Sequence, residues 1–147
     1  PSLRAVHDTV VALRRAKSMV LCEGDENAQS AGSFFTNPVL SEEEARRACE
    51  RAVRAGACER VEDVPRFAGE KAGTVKLAAG WLIERAGIAK GTRRGPVGVS
   101  TKHALALVHH GGGTTRALLA LADEVVEAVR ARFGVTLERE PVLLACE

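Results

Sequence analysis

A serine within a glycine- and proline-bounded segment is the first residue of this sequence that can carry chemistry. Ser33 lies between Gly32 and Phe34 in the segment AGSFFTNP, and no general base is adjacent to it in the sequence. A serine nucleophile needs such a base, so the sequence favours a proton donor over a nucleophile here. The alternative is a turn hydroxyl that satisfies nearby backbone groups.

A glutamate near the C-terminus is the second candidate. Glu140 directly precedes Pro141 in an otherwise apolar tail. Burial would raise the pKa of this carboxyl group and would require a partner for it. The alternative is a solvent-facing residue at the edge of a sheet.

The histidines and cysteines do not form a recognisable metal site. His109 and His110 are adjacent, and neighbouring residues of a strand point to opposite faces, so we expect surface residues. His103 follows Lys102 at the start of a predicted strand, where a side chain can face a ligand. No Cys-x-x-Cys pair exists and no histidine has metal-ligand spacing from a cysteine, so we expect free thiols at Cys22, Cys49, Cys58 and Cys146.

The hydrophobic pattern predicts the elements that must position these residues. Apolar periodicity and capping residues predict four helices, over residues 3–16, 42–55, 77–86 and from Thr114 or Thr115 to Phe133. GPVGVS and HALALVHH have the character of short strands, and the tail VTLEREPVLLAC is strand-like up to Pro141. GSFFTNP is typical of an exposed turn, and residues 57–75 of an irregular connection. The order of elements predicts an α+β fold, with helices packed on a small mixed or antiparallel sheet.

Composition narrows the class of protein further. The 147 residues are 46% hydrophobic and 27% charged with a net charge of +2, which suits one globular domain or part of a larger protein. No apolar run is long enough for a membrane span, and the first ten residues are unlike a signal peptide, so we expect a cytoplasmic protein without membrane contact. One Trp, four Phe and no Tyr leave little with which to stack bases, so we expect no nucleic-acid partner.

The chain begins at Pro1, which fits a removed initiator methionine or a piece of a longer protein. P-loop, dinucleotide-binding and nucleophile-elbow patterns are absent from the sequence.

At four ordered motifs the chain resembles the UDP-N-acetylenolpyruvoylglucosamine reductase family, also called MurB. The motifs are AGSFFTNP, KLAAGWLIERAGIAKG, STKHALALV and FGVTLEREP. The resemblance covers essentially the whole chain and implies the α+β fold of the family's C-terminal substrate domain. It also implies a flavoenzyme of peptidoglycan precursor synthesis. In that reaction NADPH reduces FAD, and the reduced flavin passes a hydride to UDP-N-acetylglucosamine enolpyruvate, which becomes UDP-N-acetylmuramate.

The resemblance also implies roles for individual residues. Ser33 matches the family's proton donor and Glu140 its stabilising carboxylic acid or carboxylate. The implied ligand contacts are Lys17 with the diphosphate or cofactor, Asn37 with the diphosphate, Lys90 and His103 with the substrate, and Arg14 with the flavin. No metal is implied, and Thr36 stands where many members have a lysine.

The family's flavin-binding half, with a tyrosine that closes over the substrate, would precede residue 1. The resemblance therefore divides the chain into the end of the flavin-binding domain (1–20), the substrate-binding domain (21–134) and a strand that returns to the flavin domain (135–147). We expect activity only together with the N-terminal half, which is the expected partner besides the UDP-sugar. Two alternatives stay open: a stand-alone nucleotide-sugar binding module without catalysis, and a basic adaptor that binds anionic polymers with steep salt dependence.

Overall fold

The four predicted helices and the strands predicted in GPVGVS and HALALVHH are present, with further short strands, in a computed structural model that describes residues 1–144. The helices are α1 (Leu3–Ala16), α2 (Glu42–Arg54), α3 (Ala79–Arg85) and α4 (Thr115–Phe133). The strands are β1 (Ser30–Ser33), β2 (Val39–Ser41), β3 (Arg66–Ala68), β4 (Thr74–Leu77), β5 (Arg93–Arg94), β6 (Val97–Val99) and β7 (Ala106–His109), and a 3₁₀ turn covers Val61–Asp63. This arrangement confirms the predicted α+β class.

The described strands form two antiparallel sheets where the sequence predicted one. The larger has the order β1-β7-β6-β5 and the smaller has the order β2-β4-β3. β3 and the start of β4 fall in residues 57–75, so the prediction of an irregular connection there was wrong. Strands of three or four residues are too short to show a hydrophobic period, and they are stabilised by their partners across the sheet.

Local signals in the sequence correctly located the ends of α2 and α4. Ser41 and Glu44 form the predicted capping box, with the Ser41 N–H donating to Glu44 Oε2 at 2.9 Å. The Thr114 hydroxyl accepts the N–H of Ala117 at 3.2 Å and caps α4. Gly134 ends α4 in the left-handed region, with φ +72°. Helix α3 is shorter than the predicted 77–86, because Leu77 still belongs to β4.

The core lies between helices α2, α3 and α4 and the two sheets. Helix α4 buries the predicted stripe, and α2 packs through small side chains, both as the sequence indicated. The buried residues of these two helices are Ala45, Ala48, Cys49, Ala52, Leu121, Ala122, Val125, Val129 and Phe133. The Trp81 ring of α3 packs against Phe133 with 6.0 Å between ring centroids.

The segment GSFFTNP is not the exposed turn that the sequence predicted. Phe34 and Phe35 are only 4% and 1% exposed, and their rings pack edge to face. The Phe34 N–H donates to the Leu105 carbonyl at 2.8 Å, so this segment continues the edge of the larger sheet. Glycine and proline at its ends are typical of a turn, but the two aromatic rings anchor the segment in the core.

The C-terminal tail is not a regular strand within its described part. It makes one antiparallel bridge, between Phe35 and Arg139, flanked by two backbone hydrogen bonds. The Thr36 N–H donates to the Glu138 carbonyl and the Glu140 N–H to the Phe34 carbonyl, each at 3.0 Å. The last of these backbone bonds is made by Glu140, so the described pairing ends directly before Pro141.

Helix α1 matches the predicted range of residues 3–16 but buries none of its residues. Its apolar face is open to solvent at Leu3, Val6, Val10 and Leu13, which are 46–91% exposed. No helix among residues 1–144 is both long and apolar enough to span a membrane. Cys22, Cys49 and Cys58 are free thiols as predicted, while Cys146 lies outside the described residues.

Candidate functional site

Ser33 and Glu140 come from opposite ends of the chain and line the same two cavities. The larger cavity has a volume of about 1060 Å³ and the smaller of about 430 Å³. Ser33 stands at the end of β1, and the backbone bond from Glu140 to Phe34 holds the tail beside that strand end. Ser33 is half-buried and Glu140 exposed, so Glu140 is solvent-facing in this chain and not buried.

The larger cavity extends from these two residues to the smaller sheet. Asn37 lines it, together with Lys71 and Lys76. Lys76 Nζ lies 2.9 Å from Glu70 Oε1, and this hydrogen bond is the main reason that the pKa of the Glu70 carboxyl lies below its usual value. Sequence reasoning missed Lys76, although it opens the KLAAGW motif. The pairing of β4 with β2 places Lys76 beside the cavity, and the sequence does not show this pairing.

Asn37 is built into the first turn of α3. Its Oδ1 accepts the N–H of Ala79 at 2.9 Å. The backbone partner identifies which end of the amide is oxygen, because an N–H must meet an acceptor. The Nδ2 group is then the part of this exposed side chain that can donate to a ligand.

The smaller cavity shares Ser33 and Glu140 with the larger one. Arg14, in the last turn of α1, lines it together with Ser18. The remaining lining is mostly apolar and includes both small residues, such as Ala31 and Gly32, and larger ones at Met19, Val20 and Leu21. The lining therefore places one cation, Arg14, and one carboxyl group, Glu140, beside an apolar wall.

Lys17, Lys90 and His103 form a separate basic group that lines neither cavity. Burial lowers the pKa of His103 first, and the charges of Lys17 and Lys90 lower it further. His103 Nδ1 accepts the N–H of Leu105 at 3.2 Å, so the neutral ring carries its proton on Nε2. His103 precedes β7 by a turn and does not open that strand. Lys90 is also paired, with its Nζ 3.2 Å from Glu84 Oε1.

A buried asparagine that sequence reasoning missed supports the His103 turn. Asn27 is 4% exposed, and its Oδ1 accepts the Ser100 hydroxyl at 3.0 Å and the Thr101 N–H at 2.8 Å. The Ser100 hydroxyl oxygen in turn accepts the N–H of His103 at 3.3 Å. No signal in the sequence marked Asn27, because its partners lie more than seventy positions away.

Asp25 completes this polar group at the surface. Its Oδ1 accepts the backbone N–H of Asn27 at 2.9 Å. The pKa of the Asp25 carboxyl is held below its ordinary value, chiefly by the nearby Ser18 hydroxyl and next by this N–H. The Ser18 hydroxyl is buried and has no hydrogen-bond partner among the described residues.

His109 and His110 are half-buried, not the surface residues that the sequence predicted. The ring nitrogens of His109 face the N–H groups of Gly111 and Gly113, at 3.1 and 3.0 Å. This ring therefore supports the glycine turn before α4. Residues 1–144 contain no cluster of three or more His, Cys, Asp or Glu side chains suited to a metal ion.

Comparison with known proteins places this geometry in context. Residues 25–144 match the family described as "UDP-N-acetylenolpyruvoylglucosamine reductase, C-terminal domain". A UDP-N-acetylenolpyruvoylglucosamine reductase of Thermobifida fusca (strain YX) is 50% identical over 142 residues, 97% of this chain and 39% of the relative. The same enzyme of Streptomyces coelicolor is 51% identical over 141 residues, which cover 95% of this chain and 36% of the relative. That of Mycobacterium tuberculosis (strain ATCC 25177 / H37Ra) is 44% identical over 146 residues, which cover 97% of this chain and 38% of the relative. The chain thus spans 36–39% of the length of these relatives.

Proposed function

Because the chain belongs to the family of UDP-N-acetylenolpyruvoylglucosamine reductase C-terminal domains, we propose that it is the substrate-binding part of such a reductase. Its reaction would convert UDP-N-acetylglucosamine enolpyruvate to UDP-N-acetylmuramate, a step of cytoplasmic peptidoglycan precursor synthesis. The observation that carries this proposal is the convergence of Ser33 and Glu140 on the same two cavities.

The reduction requires two things of the protein besides a hydride. Hydride addition next to a carboxylate places negative charge on the adjacent carbon, and a donor must protonate that carbon. Ser33 is the proposed donor, since its hydroxyl lies at the end of a strand and lines both cavities. Glu140, which lines the same cavities, is the proposed carboxylic acid or carboxylate that stabilises the developing charge.

The smaller cavity fits one side of a flavin. Its apolar side chains and the cation of Arg14 suit a flat aromatic group beside Ser33, and a Cβ added at Gly32 would meet no atom within 4 Å. When bound, FAD reduced by NADPH supplies the hydride. At about 430 Å³ the cavity is too small to enclose such a ligand, so we assign most of the flavin site to the N-terminal half. The exposed apolar face of α1 supports contact with that half.

The larger cavity suits the UDP-sugar. About 1060 Å³ is ample for a nucleotide sugar. The ammonium group of Lys76 and the Nδ2 group of Asn37 are donors for a diphosphate, because phosphate oxygens accept charge-assisted hydrogen bonds. Lys17, Lys90 and His103 would provide a further basic surface for the substrate.

We propose the same three-part division of the chain that the resemblance implies, and add that the start of the third part is paired with the substrate-binding domain. Residues 1–20 would close the flavin-binding domain, which agrees with the absence of buried residues in α1. Residues 21–134 would form the substrate-binding domain. Residues 135–147 would return towards the flavin domain, although their described part is paired with Phe34 and Thr36.

The decisive experiment restores the complete enzyme by joining the chain to the N-terminal half of the Thermobifida fusca relative. Sustained NADPH oxidation, beyond the single equivalent that reduces the flavin, should then require UDP-N-acetylglucosamine enolpyruvate, and Glu140→Gln should slow the step that consumes this substrate. Absence of turnover in an assembled protein that carries FAD would overturn the proposal.

Titration of the chain alone separates the binding-module alternative. UDP-N-acetylglucosamine should shift the NMR signals of Asn37 and Lys76 with a dissociation constant of about 1 mM, because half of the enclosure is missing. Stoichiometric FAD on the purified chain would contradict the assignment of the flavin site to the other half.

A further inference from the structure

The tail that carries Glu140 has few anchors. Leu137 is 3% exposed and fixes the tail in the core upstream of the bridge to Phe35. Beyond Pro141 the side chains of Val142, Leu143 and Leu144 are 66–83% exposed. The position of Glu140 is therefore set at the boundary between an anchored and a solvent-exposed segment.

One side chain ties this boundary to a helix. Arg139 Nη2 lies 2.5 Å from Asp123 Oδ1, in the middle of α4. Successive side chains of an extended segment point to opposite sides, so a side chain held on the α4 side directs the next one away from the helix. Arg139 reaches α4, and Glu140 lines the two cavities.

We propose that the Asp123–Arg139 ion pair is a positioning device that holds Glu140 at the cavities it shares with Ser33. This inference rests on the proposed function for its catalytic consequence. Asp123 and Arg139 touch neither cavity and are positioning residues, not catalytic ones. The contact is a charge-assisted hydrogen bond to a residue whose backbone is fixed within α4, so it restricts where the tail can lie.

Orientation accounts for this pair better than stability does. The side chains of Arg139 and Asp123 are 33% and 73% exposed, and exposed ion pairs contribute little to the free energy of unfolding. Catalytic groups, in contrast, must be held to within about 0.5 Å of the productive geometry. The function of the pair should therefore appear in rates and in local backbone protection, with little change in melting temperature.

The test compares Asp123→Asn with Glu124→Gln in the complete enzyme. Glu124 is the next residue of α4 and pairs with Arg94 of β5 at 2.5 Å, so the control breaks a similar ion pair that does not reach the tail. Asp123→Asn should slow reoxidation of the flavin by saturating substrate about tenfold, with KM little changed, because small displacements of reacting groups are costly. Glu124→Gln should leave this rate unchanged.

Two further measurements separate positioning from general damage. Hydrogen exchange at the Glu140 amide should speed up in Asp123→Asn but not in Glu124→Gln, because only the former loosens the tail. The charge-swapped double variant Asp123→Arg with Arg139→Asp should recover most of both effects.

Failure of this inference is distinguishable from failure of the proposed function. If Glu140→Gln slows substrate reduction but Asp123→Asn behaves like Glu124→Gln, the ion pair does not position Glu140. If Glu140→Gln leaves the rate unchanged, the proposed role of Glu140 falls, and the inference falls with it.

Discussion

The side-chain carbonyl of Asn37 accepts the N–H of Ala79 at 2.9 Å, so the segment that follows Ser33 is fastened to the first residue of α3. The same segment is held by the Leu77 N–H, which donates to the Pro38 carbonyl at 3.1 Å. Ser33 and Asn37 therefore flank a pair of buried phenylalanines that cannot move independently of the core. A rigid segment of this kind suits residues that must meet a substrate in one geometry.

Ser33→Ala tests the proposed proton donor. In the complete enzyme the variant should leave flavin reduction by NADPH nearly unchanged. Reoxidation by the enolpyruvyl substrate should slow by about 100-fold or more, since general acid catalysis contributes on that scale. Stopped-flow absorbance measures both half-reactions. Equal slowing of the two would indicate that the hydroxyl supports only the local structure.

Lys76→Gln tests the cation of the larger cavity. Loss of the ammonium group should raise KM for the UDP-sugar about tenfold, equivalent to about 1.4 kcal/mol of binding free energy. Glu70→Gln removes the partner carboxylate at 2.9 Å and leaves the cation, so this variant should lower KM. Steady-state kinetics with varied UDP-sugar distinguishes them. A parallel rise of KM in both variants would show that the ion pair, not the cation, matters.

His103 should make stability depend on pH. Burial and the charges of Lys17 and Lys90 lower its pKa in the folded chain. Below the unfolded pKa of about 6.5, the unfolded chain binds a proton that the folded chain resists. Stability should therefore fall as pH drops through that value, until the folded ring is also protonated. Thermal unfolding of the wild type and His103→Gln between about pH 5 and pH 8 checks this, because that range spans the unfolded pKa. Melting temperatures that differ by a constant amount across the range would refute the prediction.

Asn27→Ala should destabilise the fold without touching either cavity. The substitution leaves the Ser100 hydroxyl and the Thr101 N–H without their shared acceptor, at a cost of about 1–3 kcal/mol. Gln29→Ala, an exposed side chain of the same loop, should stay within about 0.5 kcal/mol of the wild type. Urea denaturation followed by circular dichroism compares the two. A loss in Asn27→Ala no larger than that of the control would mean that water replaces the amide.

Local chemistry was enough to locate the long helices. Ser41 with Glu44 at the start of α2, and Thr114 with Gly134 at the ends of α4, act within one turn of the chain. Capping bonds and left-handed glycine depend on neighbours three or four residues away, so they can be read from the sequence. The buried stripe of α4 is readable for the same reason, because its period is a property of the helix itself.

Tertiary structure alone decided where the candidate site residues meet. Ser33 and Glu140 share two cavities because the tail crosses back to Phe34, and Lys76 joins them because β2 pairs with β4. The sequence predicted an exposed turn at Phe34 and Phe35, but in the structure both side chains are buried and the tail pairs with Phe35. The sequence determined which residues have suitable chemistry and the resemblance suggested their roles. Their proximity depended on short strands whose partners are distant in the chain, and the energy of such pairing is absent from any local window.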